Sequence, residues 1–421
     1  MARSKSLLKG IALAGVASLA LAACASDDDT GGGTEGGDGG GTLKLGYVLP
    51  ETGQLAYLGD PQIAATEFAI QQINKAGGVL GNDVPPVVGR DEAGQEAIAV
   101  QSADQVLAED VSAVIGAAAS GMSLAMIDKI TGSGVAQCSG SNTAPTFTDY
   151  DDGGFYFRTA PSDVLQGPIL AETIVGDGHS TVALVARADD YGKGLLDATA
   201  AALEENGATV ELKETYDPKV TNFEPVVQKV KNANADAAVV IGFEEGTQVL
   251  QGMIEAGIGP DQKGVYGADG LNNPDLANLV SKGAPGKLAG MKGTAPGSEG
   301  NKEFTDALKE FKPNLKELQF APQVYDCVVS IALAAEQAGS VDAADFAPEI
   351  NGITKNGEKC TDFDECKKLI EQGTDIDYDG KSGPLDFIEA GEPGQASIEV
   401  YGFNKKGEHE ILSTETSTLD E

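Results

Sequence analysis

Short apolar runs alternate with helical patterns of about ten to fifteen residues along most of this 421-residue chain. This alternation is typical of βαβ units, in which helices join parallel strands and cover the sheet. Two such series, separated near residues 155–162, predict two α/β domains. The predicted strands are 43–49, 111–115, 134–138, 181–186, 209–216, 237–243 and 264–267, and the predicted helices are 61–75, 123–130, 195–205, 223–234 and 247–256.

The N-terminal segment predicts a secreted and lipid-anchored protein. Basic residues precede an apolar run over 7–22, and this run ends in the sequence Leu-Ala-Ala-Cys at 21–24. The run is too short for a membrane span and has the form of a secretory signal with a small-residue cleavage site. Leu-Ala-Ala-Cys matches the bacterial lipobox, so we expect residues 1–23 to be removed and Cys24 to carry the lipid. An ordinary cleaved signal with a chance cysteine is the alternative.

Residues 24–42 are expected to form a tether between the lipid and a folded body that begins near Leu43. Apart from the first two positions, the tether contains only Gly, Asp, Ser, Thr and Glu, which cannot bury apolar surface. The whole chain carries 29 Lys and Arg against 65 Asp and Glu, a formal net charge of −36. Such an acidic surface repels nucleic acid and anionic lipid headgroups. We therefore expect membrane contact through the lipid anchor alone and no nucleic-acid partner.

Four cysteines remain beyond the lipidation position, namely Cys138, Cys327, Cys360 and Cys366. An even number of cysteines outside the membrane predicts disulfides, although four cysteines allow three connectivities. A local bridge between Cys360 and Cys366 is natural, and Cys138–Cys327 would then close a long loop. A pair of buried free thiols is the alternative for Cys138 and Cys327, which both lie beside apolar runs.

Polar residues follow several predicted strands, where ligands bind in open α/β sheets. They are Ser120, the segment 139–143, Phe243 with Glu244, and Asp269. Hydroxyls and backbone N–H groups at a helix start bind anions, and a single carboxylate can pair with an ammonium group. Each serine taken alone is as easily explained as a helix cap or a turn residue. Their shared location predicts a site suited to a zwitterion.

A series of short motifs runs along the body of the chain. The motifs are Leu-Pro-Glu-Thr-Gly at 49–53 with Gly59, Ile-Asn-Lys-Ala-Gly-Gly at 73–78, Val-Ile-Gly at 114–116, Ser-Asn-Thr-Ala-Pro at 141–145, Phe-Arg-Thr-Ala-Pro-Ser-Asp at 157–163, Asp-Tyr-Gly-Lys-Gly-Leu at 190–195, Tyr-Asp at 325–326 and Ser-Gly-Pro-Leu at 382–385. With these motifs in this order, the chain resembles the substrate-binding proteins of ABC importers for branched-chain amino acids, the Leu/Ile/Val-binding type. Each motif is weak by itself, and their order and spacing over 43–403 carry the resemblance.

The resemblance implies the type I fold of periplasmic binding proteins, with two Rossmann-like α/β lobes that contain parallel sheets and are joined by three hinge strands. Three connections split each lobe in the sequence. We expect the first lobe at 43–157 plus 294–396 and the second at 158–293 plus 397–412, followed by a polar tail at 413–421.

The resemblance also implies a role for each polar residue of the predicted site. Ser120 and Thr143 would hold the ligand carboxylate through hydroxyl and backbone N–H groups. Ser141 would offer its carbonyl to the ligand ammonium, and Asp269 would offer its carboxylate. Tyr191 would cover the ligand from the second lobe.

The side-chain pocket is expected to be lined by Tyr57 and Leu58, together with Phe243 or Glu244. A glutamate at this place departs from the family, which often has a tyrosine there. If Glu244 faced the cleft, a polar or cationic ligand group would be favoured over an aliphatic one.

The function implied is capture of an amino acid, by default a branched-chain one, and its delivery to the permease subunits of an ABC importer. A monomer without a cofactor is expected, outside the cytoplasm and anchored to the bacterial cell membrane. The alternative on the same fold is a sensor of amino acids, amides or urea, or an importer component for a polar ligand. An enzyme is not expected, because His179 and His409 lie in no nucleophile motif and the sequence has no Gly-x-Ser-x-Gly and no Cys/His metal cluster.

A calcium site is a further alternative. Asp375, Asp377 and Asp379, followed by Gly380, match the first half of an EF-hand loop, and Asp386 falls at its twelfth position. That position is usually a bidentate Glu, and no flanking helices are evident, so a solvated turn in an acidic protein is the preferred interpretation.

Overall fold

Two large sheets and one small three-stranded sheet organise the residues that the computed structural model describes, which are 41–297 and 301–419. The predicted signal peptide, Cys24 and nearly all of the predicted tether lie outside these residues. The strands are β1 Leu45–Leu49, β2 Val88–Asp91, β3 Ala113–Gly116, β4 Ala136–Ser139, β5 Tyr156–Arg158, β6 Thr181–Arg187, β7 Thr209–Tyr216, β8 Ala237–Ile241, β9 Gly264–Gly267, β10 Lys292–Pro296, β11 Glu358–Cys360, β12 Ile376–Gly380, β13 Gly383–Pro384, β14 Gln395–Phe403 and β15 His409–Thr418. The helices are α1 Ala56–Lys75, α2 Glu96–Leu107, α3 Ser120–Thr131, α4 Asp163–Gly176, α5 Asp190–Glu205, α6 Glu224–Ala233, α7 Gly246–Glu255, α8 Leu276–Val280, α9 Lys302–Phe311, α10 Ala321–Ala338, α11 Ala343–Phe346 and α12 Phe363–Glu371.

The first sheet has five parallel strands in the order β2-β1-β3-β4-β5. Strands β3 and β4 are buried over their whole length, as expected for parallel strands with helices on both faces. Helices α1 and α10 pack on one face, and almost every residue of α10 is buried. Helices α2 and α3 cover the other face. We call this sheet and its helices the first lobe.

The second sheet has seven strands in the order β15-β14-β10-β9-β8-β6-β7. Strands β10, β9, β8, β6 and β7 are parallel to one another. At one edge, β14 pairs antiparallel with β10, and β15 pairs antiparallel with β14. Helices α4 and α5 supply the core of one face, and α6, α7 and α8 that of the other. This sheet and its helices form the second lobe. The prediction of a two-lobed α/β fold with parallel sheets is confirmed.

The chain passes between the lobes three times, after β5, after β10 and before β14. The predicted lobe boundaries at 157/158, 293/294 and 396/397 fall within these three strands. Residues 413–418, which the sequence predicts as part of a polar tail, extend β15. This strand lies at the sheet edge with most of its side chains exposed, so its sequence lacks the apolar run of a buried strand.

Two helices that carry predicted site residues begin earlier than the apolar pattern indicates. Helix α1 begins at Ala56, and Pro61 lies inside it. Helix α5 begins at Asp190, with Asp189 as its N-cap accepting from the Gly192 N–H at 2.9 Å. Pro61 in the second turn of α1 and Gly192 in the first turn of α5 resemble helix breakers in a sequence, which explains the late predicted starts. The early starts place Tyr57, Leu58 and Tyr191 on helices.

The EF-hand alternative is contradicted by the structure, because residues 376–380 form strand β12 rather than a loop between helices. The Lys359 ammonium lies 3.2 Å from Asp377 and 2.8 Å from Asp379, so a cation of the protein already neutralises these carboxylates. Asp386 accepts a hydrogen bond from Gln395 at 3.0 Å. Within 41–297 and 301–419, no three or more His, Cys, Asp or Glu side chains are grouped to hold a metal ion.

No single helix in the described part of the chain is long and apolar enough to cross a membrane. Helix α10 and the segment Ala343–Glu349 together have the length and composition of a membrane span, but the two are bent by 88° relative to each other.

Both predicted disulfides are present. Cys138 on β4 is bonded to Cys327 on α10, with a sequence separation of 189, and Cys360 is bonded to Cys366 with a separation of 6. All four cysteines are buried. The long-range bridge fastens the principal core helix to the central part of the first sheet, whereas the short one links β11 to α12.

We expect removal of the long-range bridge to destabilise the protein far more than removal of the short one. In the chain-entropy description, the Cys138→Ala/Cys327→Ala variant loses roughly 5 kcal/mol of unfolding free energy and the Cys360→Ala/Cys366→Ala variant roughly 2 kcal/mol. Urea unfolding of both double variants measures the difference. Because both pairs are buried, the short bridge is a matched control, and equal losses would contradict the loop-length explanation.

Candidate ligand-binding site

The turn between β3 and α3 places Ser120 at the carboxyl edge of the first sheet. Ser120 is the first residue of α3 and is buried. The Glu92 carboxyl group, also fully buried, accepts the backbone N–H groups of Ala118 at 2.8 Å and Ala119 at 3.4 Å. Burial raises the pKa of Glu92 to about 8, although both hydrogen bonds oppose this effect. Glu92 therefore fixes the turn that leads into the Ser120 helix.

The segment after β4 is held against this turn. The Asn142 side chain donates to the carbonyls of Ala117 at 3.1 Å and Ala118 at 2.8 Å. Ser139 Oγ accepts the backbone N–H of Ser141 at 3.2 Å. Ser141 and Thr143, on this segment, are buried.

Ser120 and Thr143 are joined through the residue that follows Thr143. The Ala144 N–H donates to Ser120 Oγ at 3.4 Å. The structure thus brings Ser120 to the segment that carries Ser141 and Thr143, as the predicted carboxylate site requires.

Arg158, the last residue of β5, holds the segment after β4 by hydrogen bonds to its backbone. Its guanidinium is completely buried and donates to the carbonyls of Asn142 at 3.3 Å and Ala144 at 2.8 Å. It also donates from Nε to the buried Glu392 carboxylate at 2.6 Å. Glu392 precedes β14, the strand reached by the third passage between the lobes.

Asp269 lies at the carboxyl end of β9, in a short 3-10 turn of the second lobe. One carboxylate oxygen accepts the Tyr191 hydroxyl at 2.7 Å and the Gln166 side-chain amide at 3.1 Å. Asp269 is 4% exposed, and burial raises its pKa to about 6, against the opposing effect of these two hydrogen bonds. Its backbone carbonyl accepts from the Gln319 amide at 3.0 Å.

Asp163 connects the two halves of the site. It is the first residue of α4, and its backbone N–H donates to the Thr143 carbonyl at 2.7 Å. Its completely buried carboxyl group lies close enough to Asp269 for the two groups to influence each other's charge. Thr143 of the first lobe and Asp269 of the second therefore lie on two sides of one polar cluster.

An apolar wall built from both lobes adjoins this polar cluster. The Tyr191 and Phe243 rings stack with centroids 5.1 Å apart and an interplanar angle of 15°. Leu58 of the first lobe and Phe320 at the start of α10 belong to the same buried cluster, and Tyr57 packs against it. These contacts bring together four of the predicted pocket residues.

The two glutamates after β8 have different environments. Glu245 is buried and accepts from Arg187 at 3.1 Å and from the Tyr216 hydroxyl at 3.3 Å. Glu244 is exposed and, with Tyr57 and Phe243, lines a cavity of about 160 Å³ between the lobes. The buried negative charge beside the pocket is thus already paired, and Glu244 borders the cavity from its solvent side.

The lobes contact each other directly at the mouth of the cleft. Gln54 accepts from Arg187 at 3.3 Å and donates to the Pro218 carbonyl at 3.4 Å. The Tyr57 hydroxyl donates to the Gly270 carbonyl at 3.2 Å. These bonds join the start of α1 to the end of β6 and to the segments that follow β7 and β9 in the second lobe.

A two-lobed fold with a buried polar cluster between its lobes agrees with the comparison to known families. A family model described as periplasmic binding protein matches residues 42–407. The chain belongs to this family. A curated relative from Brucella melitensis, named a Leu/Ile/Val-binding protein homolog, is 29% identical over 248 residues, which cover 58% of this chain and 66% of the relative.

Two solved structures share the fold of this periplasmic binding protein. A branched-chain amino acid transporter substrate binding protein from Streptococcus pneumoniae, in complex with isoleucine, has a TM-score of 0.72 and 24% identity, covering 90% of this chain and all of that one. A solute binding protein of an ABC transporter from R. palustris, in complex with 4-hydroxybenzoate, has a TM-score of 0.73 and 18% identity, covering 90% and 98%.

Several residues of this binding protein that shape the site were missed by the sequence reasoning. Glu92, Gln166 and Gln319 act through hydrogen bonds to residues distant in the sequence, and no local pattern reveals them. Asp163 lies in the Phe-Arg-Thr-Ala-Pro-Ser-Asp motif and Phe320 just before α10. The position of Asp163 at a helix start after a strand was the available signal.

We expect Glu92 to make the protein's stability depend on pH. Its pKa is about 8 when folded and ordinary when unfolded, so the folded state holds an extra proton between these values and loses stability as pH rises through them. Between pH 5 and pH 8, the wild type should therefore lose on the order of 3 kcal/mol of unfolding free energy relative to Glu92→Gln, which has no carboxyl group to titrate at this position. Urea unfolding at both pH values measures it, and a constant difference would contradict the argument.

Proposed function

We propose that this protein binds an amino acid with a branched-chain side chain between its lobes and delivers it to the permease of an ABC importer. The observation that carries the proposal is the buried Asp269 carboxylate placed near the hydroxyl-bearing segment of Ser120, Ser141 and Thr143. Ser120 and Thr143 would hold the ligand carboxylate, and the Ser141 carbonyl and Asp269 would hold the ammonium. A zwitterion removed from water needs both sets of partners, because unpaired buried charges are costly.

The pocket composition supports an apolar ligand side chain. Leu58, Tyr191 and Phe243 are buried in one cluster, and Tyr57 packs against it. Glu245, a buried acid that accepts the Phe243 backbone N–H, is ion-paired with Arg187, which Asp189 also contacts, so it gives no reason to expect a cationic ligand side chain. The relative named as a Leu/Ile/Val-binding protein homolog agrees with this choice.

The contacts between Gln54, Tyr57 and the second lobe support a closing mechanism. Ligand held by one lobe would favour the arrangement in which the second lobe covers it, and the closed population would rise with ligand binding. The permease would then recognise the closed form.

A thermal-shift screen distinguishes this proposal from its alternative, a sensor or importer component for an amide, urea or another polar ligand on the same fold. L-leucine, L-isoleucine and L-valine should raise the melting temperature, because a ligand that binds only the folded state stabilises it. 4-Methyl-2-oxopentanoate, which is leucine with a keto group in place of the ammonium, should give no shift. A shift with urea, an amide or 4-hydroxybenzoate alone would contradict the amino-acid assignment.

Asp269→Asn should weaken leucine binding at least about a hundredfold, because removal of one partner of a buried charge pair costs several kcal/mol. Asp275→Asn is the matched control, since this exposed acid lies six residues away on the same stretch of chain. Titration calorimetry at pH 7.5 measures both variants. Equal affinities for Asp269→Asn and wild type would remove Asp269 from the site.

We further propose that the protein works outside the cytoplasm as a monomer, anchored to the bacterial membrane by lipid on Cys24. The support is the signal-like sequence that ends in Leu-Ala-Ala-Cys and the acidic Gly-rich stretch that follows it. The acidic body itself gives no electrostatic attraction to anionic lipid.

Cys24→Ser should release the protein from the membrane into the soluble extracytoplasmic fraction, because the lipid is expected to be its only attachment. Detergent phase partition of cells that express the wild type or the variant measures this. Continued partition of Cys24→Ser into the detergent phase would contradict the anchor.

A further inference from the structure

Asp163 is a buried acid in the cleft that the roles proposed above leave unused. Its carboxyl group is completely buried, and neither oxygen makes a hydrogen bond of normal geometry with a described residue. The Thr143 hydroxyl lies near it and lowers its pKa by less than burial raises it. An ionised carboxylate in such surroundings would have lost its water without gaining partners, so the protonated form is favoured.

The neighbouring cations do not change this conclusion, because they are already engaged. Arg158 is the positive group that faces Asp163, and its charge is neutralised by Glu392. Asp189, a second acid whose charge acts on Asp163, is paired with Arg187. Among the described residues, Arg158, Asp189 and Asp269 are the charged groups that act most on Asp163.

Asp163 and Asp269 are linked through the first turn of α4. Gln166, on the first turn of α4 with Asp163, donates to the Asp269 carboxylate at 3.1 Å. The groups around Asp269 are the hydroxyls of Tyr191, Tyr57 and Tyr401, which are neutral because burial raises their pKa well above the ordinary value. In the described part of the chain, the cation that acts on the acid pair is Arg158, which Glu392 already engages, so the ligand ammonium is the charge that would complete the pair.

We propose that Asp163 and Asp269 hold one proton between them before the ligand binds, and that arrival of the ligand ammonium drives this proton to solvent. This inference rests on the proposed function, since it requires a ligand with an ammonium group at Asp269. The ammonium keeps its three hydrogens, the Asp163 O–H bond breaks, and the buffer accepts the proton. Two carboxylates around one ammonium then replace one carboxylate and one acid.

The coupling gives a defined pH dependence. Affinity rises tenfold per pH unit wherever one proton is released, and it becomes constant once the pH exceeds the pKa values of the acid pair. Burial raises the pKa of Asp163 well above its usual range, and the charge of Asp269 adds to this effect. Proton release at pH 7 therefore reports mainly on Asp163, because Asp269, with a pKa of about 6, is by then mostly ionised.

Titration calorimetry with L-leucine at pH 7 in phosphate and in Tris tests the inference, because buffers with different ionisation enthalpies reveal the number of protons exchanged. Wild type should release close to one proton. Asp163→Asn should release close to none while its affinity for leucine changes by less than about tenfold.

Glu172→Gln is the matched control, because Glu172 is an exposed acid on the same helix. The Glu172→Gln variant should release as many protons as the wild type.

Leucine binding by wild type without proton release, or unchanged release in Asp163→Asn, would overturn this inference and leave the proposed function intact. Failure of leucine to bind wild type would contradict the proposed function and this inference with it. If Asp163→Asn does not fold, the affinity of the wild type for leucine, measured between pH 7 and pH 8, tests the inference instead. It should rise with pH, by at most tenfold per pH unit, and a constant affinity in that range would overturn the inference.

Discussion

The buried Arg158 guanidinium is the interaction on which the site depends. It sits at the end of β5, where the chain leaves the first sheet, and donates to the segment that carries Ser141 and Thr143. Its charge is balanced by Glu392, from the third passage between the lobes. A buried charge pair of this kind is strongly destabilising when one partner is lost. One ion pair thus fixes the ligand segment relative to two of the three connections between the lobes.

In the proposed site, the first lobe would supply the partners of the ligand carboxylate, and the ammonium would be held by Ser141 of the first lobe together with Asp269 of the second. The hydroxyl-bearing segment and the start of α3 belong to the first lobe, whereas Asp269 and Tyr191 belong to the second. Neither side alone holds a complete set of partners for a zwitterion. In the proposed function, this division would couple ligand binding to lobe closure, since both ligand charges would find partners only when the lobes meet.

Sequence reasoning succeeded where structure is local. Buried parallel strands such as β3 and β8 read as continuous apolar runs, so the two-lobed α/β fold followed from their alternation with helices. Ser120 and residues 139–143, which the sequence predicts as site residues, lie together because the ends of β3 and β4 are neighbours at the carboxyl edge of the first sheet. The EF-hand-like spacing at 375–380, which the sequence offers only as an alternative to a solvated turn, forms neither, since residues 376–380 pair with β11 as strand β12.

The rest of the site depends on contacts between distant parts of the chain. Glu92 acts on a turn 26 residues further along the sequence, and Arg158 pairs with a glutamate 234 residues away. Asp163 gains its properties from burial rather than from its sequence neighbours. Strands β14 and β15 lack a buried apolar run over their whole length because they lie at or next to a sheet edge, and the sequence pattern did not predict them.

A crystal structure of the protein grown with L-isoleucine tests the central claim most directly. The account predicts one isoleucine between the lobes, with its carboxylate at Ser120 and Thr143, its ammonium at Asp269, and its side chain against Tyr191 and Phe243. Isoleucine bound in another orientation, or bound outside the cleft, would contradict it.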